Sequence, residues 1–172
     1  MPTLTAPTGD NQARIAVFLF FAFAGTVGTA LFFEHVLGYI PCQLCLAQRV
    51  PYYAAMPVMV AAAYGAALNW PSWLLRGLLV AAGALMLYGL TLAVYHAGVE
   101  WHFWPAPASC GAVTGRVETG GAGILDSLDA IPPSCDKAPW RFLGLSFAGW
   151  NVPASLAFAA LALRAGLTRA AD

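Results

Sequence analysis

Four long stretches without a single Asp, Glu, Lys, Arg or His constrain this chain more than any other feature: residues 15–33, 50–68, 77–95 and 142–163. Each is close to the roughly 20 apolar residues that a helix needs to cross a hydrocarbon core. In a chain of 172 residues, 60% hydrophobic and only 9% charged, so much apolar surface cannot be hidden in a soluble core. The expected fold class is an all-α integral membrane protein, a four-transmembrane-helix bundle forming a single domain. Its spans are placed at 15–33, 46–68, 77–95 and 142–163, joined by loops at 34–45, 69–76 and 96–141 and followed by a tail at 164–172. The first stretch exceeds the roughly 7–15 residues of a signal-peptide core, so it is read as a retained helix.

With four spans, both termini and the connection 69–76 share one side, and the loops 34–45 and 96–141 emerge on the other. All four cysteines, Cys42, Cys45, Cys110 and Cys135, lie in those two loops. Arg14, Arg76, Arg164 and Arg169 on the terminal side are matched by Arg49, Arg116, Lys137 and Arg141 opposite. Short segments count most for orientation, which puts the termini in the cytoplasm. Thiols gathered on the outer side suit a space where disulfides persist, the bacterial periplasm or an equivalent oxidising lumen, which agrees with the charge argument. Eight acidic and eight basic residues cancel, leaving no field to attract nucleic acid. Trp70, Trp73, Trp101, Trp104 and Trp140 stand near span ends as interfacial anchors. Pro57 and Pro153 are expected to kink their helices, and the spacing in 123–131 predicts a short helix lying on the membrane surface.

The segment Pro41-Cys42-Gln43-Leu44-Cys45 precedes the second span, and Pro41 suits the first position of a helix. That start places Cys42 in the first turn, where the helix N-terminus favours a thiolate. Cys45 and Arg49 fall four apart on one face, so Arg49 is expected to lower the Cys45 pKa as well. As a staple the short pair is poor: closing its loop contributes about 2 kcal/mol, against about 3.5 for a loop between Cys110 and Cys135 if those two pair. An exchangeable redox pair explains the motif better. A Cys₄ zinc site is opposed by the wide separation of Cys110 and Cys135. Leu46 after Cys45 excludes a c-type haem.

Arg49 is either an interfacial anchor or a cation that supports a thiolate or a polar ligand at the membrane edge. His96 closes the third span, with Glu100 and His102 beyond it; Glu34 and His35 are read as boundary residues. No dinucleotide fingerprint, haem motif or iron–sulfur spacing offers an electron acceptor, and a lipid-soluble one fits.

These residues carry a resemblance. Pro41-Cys42-x-x-Cys45 with Arg49, Tyr95-His96 before Trp104-Pro105-x-Pro107 and Cys110, and Cys135 followed by Trp140-x-Phe142-Leu143-Gly144-Leu145 together resemble the DsbB disulfide bond formation proteins. The likeness runs from the first span to the fourth. It implies re-oxidation of a periplasmic DsbA-like thioredoxin-fold partner at the expense of membrane quinone, ubiquinone or menaquinone. Cys110 would be attacked by the reduced partner, with Cys135 as its mate, which then exchanges with Cys42. Cys45 would be left as the thiolate that engages the quinone, supported by Arg49. His96 stands for a family histidine near the quinone, with a slightly different spacing to the Pro-x-Pro segment. Gln48 replaces a Glu of the family pattern, removing a charge beside Arg49.

Two other readings compete. A vitamin K epoxide reductase-like protein would carry its Cys-x-x-Cys in a later helix, where this chain has none. A non-enzymatic scaffold braced by disulfides, or a metal-binding protein, would bind stoichiometric zinc or show no turnover.

Overall fold

A computed structural model describes residues 10–110 and 134–168. Helix α1 (Asp10–His35) places an acid in its first turn and a histidine in its last, each suited to the macrodipole. Helix α2 (Gln43–Ala67) contains Pro51 and Pro57, and α3 (Ser72–Glu100) follows after a short turn. A single 3₁₀ turn at Ala108–Cys110 precedes the residues outside the description, which include the surface helix expected at 123–131. Strands β1 (Arg141–Phe142) and β2 (Leu145–Ser146) then form a minimal antiparallel hairpin, and α4 (Phe147–Leu167) ends the described chain.

The helices interlock through residues three and four apart. Leu19, Phe23 and Val27 of α1 meet Tyr52, Ala55, Met59 and Ala62 of α2; Leu79, Ala82 and Met86 of α3 meet Ala159 and Ala162 of α4. Phe23 lies edge-on to both Tyr52 and Phe158, tying three helices together. The outer faces are as apolar as the inner ones: Phe18, Phe21, Val60, Tyr64, Leu87 and Leu156 are exposed. Large apolar residues on the outer faces, with Ala55, Ala62, Ala82, Ala159 and Ala162 among those between the helices, suit helices surrounded by lipid rather than water. By length and composition α1 and α3 suffice to cross a membrane. Gly83 lets α3 approach α4 closely: a Cβ there would come within 2.6 Å of the Leu163 side chain.

Two differences from the sequence expectation have local causes. The apolar stretch from Phe142 does not begin as helix. Leu143 and Gly144 both adopt positive φ, +51° and +83°, the two-residue turn that closes a tight hairpin. The turn delivers Ser146 as the cap of α4, its Oγ accepting the Gly149 N–H at 3.0 Å. Of the tryptophans, Trp73 and Trp101 are more than half exposed as anchors should be, whereas Trp140 is half-buried and stacks on Phe147 with ring centres 5.0 Å apart.

At the opposite end Arg76, only 1% exposed, donates to the carbonyls of Gly166 and Thr168 and so closes the C-terminus of α4. The guanidinium compensates the negative end of that helix in a buried place. Replacing Arg76 by Leu should therefore lower the unfolding free energy by about 2–4 kcal/mol. Denaturant titration in mixed micelles measures it; an unchanged midpoint would mean that the carbonyls find other donors.

Candidate active site

The site begins with a cap. Cys42 is extended (φ −76°, ψ 167°) and its Sγ accepts the backbone N–H of Cys45 at 3.2 Å. Sulfur thus occupies the place usually held by a Ser, Thr or Asp oxygen, facing the free N–H groups of α2. The helix starts two residues later than Pro41 suggests, at Gln43: Cys42 is its cap rather than a member of its first turn. The sulfurs of Cys42 and Cys45 are in hydrogen-bond contact at 3.0 Å, and His96 Nε2 lies 3.6 Å from Cys42 Sγ.

Those partners separate the two thiols. The hydrogen bond from Cys45, then the His96 ring and the Cys45 N–H, outweigh burial and pull Cys42 from the ordinary 9.0 to about 4. Cys45 is pushed up, because it holds the proton that Cys42 shares and because it is buried. The expectation of two lowered thiols therefore holds for Cys42 alone. The Arg49 guanidinium is engaged in an ion pair with Glu34 of α1.

The other two cysteines form a disulfide, Cys110–Cys135, with Cα atoms 5.5 Å apart. The 3₁₀ turn holding Cys110 packs against α2, and Cys42, Leu44, Val99, Cys110 and Cys135 share one buried cluster with Cys45 on its flank. Both pairs thus occupy one apolar environment, although the sequence suggested an outer pair in an open loop. Cys110 is 9% exposed and Cys135 1%.

Below Cys42 a chain of hydrogen bonds runs into the bundle. Gln48 Nε2 lies 2.6 Å from His96 Nδ1, Asn151 Nδ2 donates to Gln48 Oε1 at 2.7 Å, and the Tyr52 hydroxyl donates to Asn151 Oδ1 at 2.6 Å. Ser155 completes it, 3.0 Å from the Tyr52 hydroxyl. On its other side His96 Nε2 is 3.7 Å from Glu100, whose carboxylate accepts from Ser146. Sequence reasoning passed over Glu34, Tyr52, Glu100 and Asn151. Asn151 and Glu100 did leave a signal, being polar groups beside or within apolar spans, where such groups seek one another.

A cavity of about 420 Å³ adjoins the thiols. Its walls include Val27, Phe33 and Ala30 of α1, Pro41 and Ile40, and Phe147 and Ala154 of α4, with Cys42, Cys45, Gln48, Arg49 and His96 at the polar end. Thr26 and Thr29 also line it, but their hydroxyls donate back to Ala22 and Gly25 carbonyls, so methyl groups are left to face inward. Phe33, Tyr39, Trp140 and Phe147 cluster at one side, with ring centres 4.8 to 5.8 Å apart in the Phe33 pairs. Exposed Thr29 and Trp150 mark its mouth between α1 and α4. Such a space suits a flat, mostly apolar molecule with polar groups at one edge. Cys42, Cys45 and His96 also bring three metal-donor atoms within 4.8 Å of one another.

A thiolate and a thiol sharing one proton at a helix start, packed on a disulfide within a bundle of long apolar helices, define a thiol oxidoreductase. The family model for disulfide bond formation protein DsbB matches residues 12–165. A disulfide bond formation protein B from Polaromonas sp. strain JS666 is 32% identical over 87% of this chain and 86% of its own length. Proteins of that name from Polaromonas naphthalenivorans and Hahella chejuensis are each 30% identical, over 93% and 90% of this chain and 95% and 93% of their own lengths. No solved structure matches the chain. The chain belongs to the DsbB family of disulfide bond formation proteins, which places it among bacterial membrane proteins.

Because its folded pKa is depressed, Cys42 should stay ionised as pH falls from neutrality and gain its proton only near pH 4. Thiolate absorbance at 240 nm in protein with a reduced Cys42/Cys45 pair, against a Cys42→Ser blank, follows this. A midpoint above pH 8 would contradict the cap geometry.

Proposed function

We propose that the protein is a four-span disulfide oxidase of the bacterial inner membrane, re-oxidising a periplasmic DsbA-like thioredoxin-fold partner and delivering the electrons to membrane quinone. Its termini lie in the cytoplasm and its cysteines on the periplasmic side. One observation carries the reading: both cysteine pairs share a single buried cluster, and one of them opens on an apolar cavity.

The relay balances as follows. A thiolate of the reduced partner attacks Cys110 Sγ, breaking the Cys110–Cys135 bond and releasing Cys135 as thiolate. Cys135 attacks Cys42 of an oxidised Cys42–Cys45 pair, and Cys45 leaves with the electron pair. The partner's second thiol closes its own disulfide and frees Cys110, which then attacks Cys135 and expels Cys42. The result is a Cys110–Cys135 disulfide beside a reduced Cys42/Cys45 pair, the state described above. Each step is a thiolate attack on a sulfur, and a leaving thiol of low pKa departs faster. The cap hydrogen bond and His96 give Cys42 that property.

The cavity residues fit a quinone head: aromatic and methyl walls, with Arg49 and His96 at the polar end, where the guanidinium can meet a carbonyl oxygen. Bound there, ubiquinone or menaquinone supplies a sink for two electrons and two protons, which matches the oxidation of one dithiol to one disulfide. Arg49 is held by Glu34 at the rim, where its donors are oriented without exposing an unpaired charge to the apolar wall.

Purified protein, a reduced DsbA-like partner and a ubiquinone analogue should together consume quinone, followed by its absorbance; no consumption with a competent partner rejects the reading. Cys45→Ser should abolish turnover, and normal turnover in that variant would remove the inner pair from the path. Arg49→Ala should raise the apparent KM for quinone on the order of tenfold with a smaller effect on kcat, the loss of about 1.4 kcal/mol of binding. An unchanged KM would return Arg49 to the role of anchor.

A further inference from the structure

The hydrogen bonds beneath Cys42 have a direction, and it can be read from groups that allow only one role. The Leu44 carbonyl can only accept, and Gln48 Nε2 lies 3.4 Å from it, so the amide of Gln48 turns its NH₂ that way. The same NH₂ faces His96 Nδ1 at 2.6 Å, which makes Nδ1 an acceptor. Gln48 Oε1 is thereby free to accept from Asn151 Nδ2 at 2.7 Å, and Asn151 Oδ1 to accept from Tyr52 at 2.6 Å and Ser155 at 3.2 Å. Each donor meets an acceptor; reversing Gln48 alone would set N–H against N–H, and reversing Asn151 alone would set oxygen against oxygen, in a buried place. An imidazole whose Nδ1 accepts carries its proton on Nε2. That nitrogen faces Cys42 Sγ at 3.6 Å.

We propose that Gln48, oriented by Asn151, is a positioning residue that fixes His96 as the Nε2–H tautomer and so aims a hydrogen-bond donor at the Cys42 sulfur. The inference deepens the relay described above and rests on it only for its purpose, which is to ease departure of Cys42 from Cys135. Gln48 does not touch a reacting sulfur and acts through the ring alone. Gln48 and His96 are 6% and 1% exposed, so water does not substitute readily for the amide. The protonated Nε2 is also not available as a metal ligand, although its position beside the two sulfurs would otherwise suit one.

Other charges face the same place and set the background. Cys45 shares its proton with Cys42, Glu100 approaches Nε2 from the ring's own helix, and Arg141 lies near Glu100. Lys137 and the Glu34–Arg49 pair line the adjoining cavity. Gln48 bonds to Leu44, His96 and Asn151 rather than to these groups, so a shift in the Cys42 titration on its substitution by Leu reports the amide.

The test uses the full chain in lipid nanodiscs with the Cys42/Cys45 pair reduced and neither quinone nor partner present. In ¹⁵N-histidine-labelled protein, with His96→Asn to assign the signal, His96 should show a protonated Nε2 and a hydrogen-bonded, unprotonated Nδ1. A proton found on Nδ1 of the neutral ring overturns the proposal without any variant. Gln48→Leu should give a mixture of tautomers and move the Cys42 thiolate midpoint upward by about one pH unit, a tenfold loss of acidity. Gln48→Glu, whose carboxylate would hold a ring protonated on both nitrogens, should keep the donor on Cys42 and restore a low midpoint. Equal midpoints in the native and Leu forms would reject the role of Gln48, while quinone consumption in a separate assay would leave the relay standing.

Discussion

The free N–H groups at the start of α2 are the interaction on which the site depends. A helix N-terminus must find acceptors, and here the acceptor is the sulfur of Cys42. Capping and catalysis are then one requirement. A neutral thiol is a weak acceptor, so the backbone itself favours the thiolate, and the spacing of three to Cys45 follows because the third residue of the first turn supplies the capping N–H. The second thiol arrives beside the first as a geometric consequence of the same turn, within 3.0 Å.

The surrounding bundle makes that arrangement durable. Its helices are apolar on every side, so each polar side chain inside must be satisfied by another. Gln48 and Tyr52 from α2, His96 from α3 and Asn151 and Ser155 from α4 answer this by joining in one line. The line also fixes the relative rotation of three helices, because a turn of α4 about its axis would unpair Asn151 from two partners at once. Arg76 performs the corresponding service at the far end, binding the last carbonyls of α4 to α3. Between these polar clasps the contact is made by Ala, Met, Leu and Gly83, which discriminate weakly among rotations.

The four long helices were legible because they follow long uncharged runs, and the runs ending near Phe33, Leu68, Tyr95 and Leu163 need no tertiary information to be seen. The hairpin before α4 was not, since Phe142-Leu143-Gly144-Leu145 continues an apolar run and only backbone angles betray the turn. In the site, Pro41-Cys42-x-x-Cys45 announced a reactive pair through local rules of helix starts. What stayed hidden was which side chains from other helices reach it. Glu34 looked like a boundary residue, and the packing of Cys110 and Cys135 onto Cys42 depends on a fold of the loop that composition does not encode.

The departure at Gln48 shows how such tertiary facts change a sequence argument. In the sequence, Gln48 in place of the family's Glu reads as the loss of a charge beside Arg49. Adjacent residues on a helix point about 100° apart and do not face each other. Gln48 turns inward to α3 and α4, while Arg49 turns to α1 and meets the carboxylate of Glu34. The charge balance of Arg49 is therefore kept by another helix, and the substitution is felt by His96. With an amide, the ring is held by a neutral donor, and its polarity is dictated by the chain of hydrogen bonds that starts at Tyr52. With a carboxylate, the same position would accept from the ring, and the polarity would follow the charge of the imidazole instead. On the role proposed for Gln48, the residue at position 48 decides how the proton on His96 is governed, and through it how strongly the Cys42 sulfur is held as an anion.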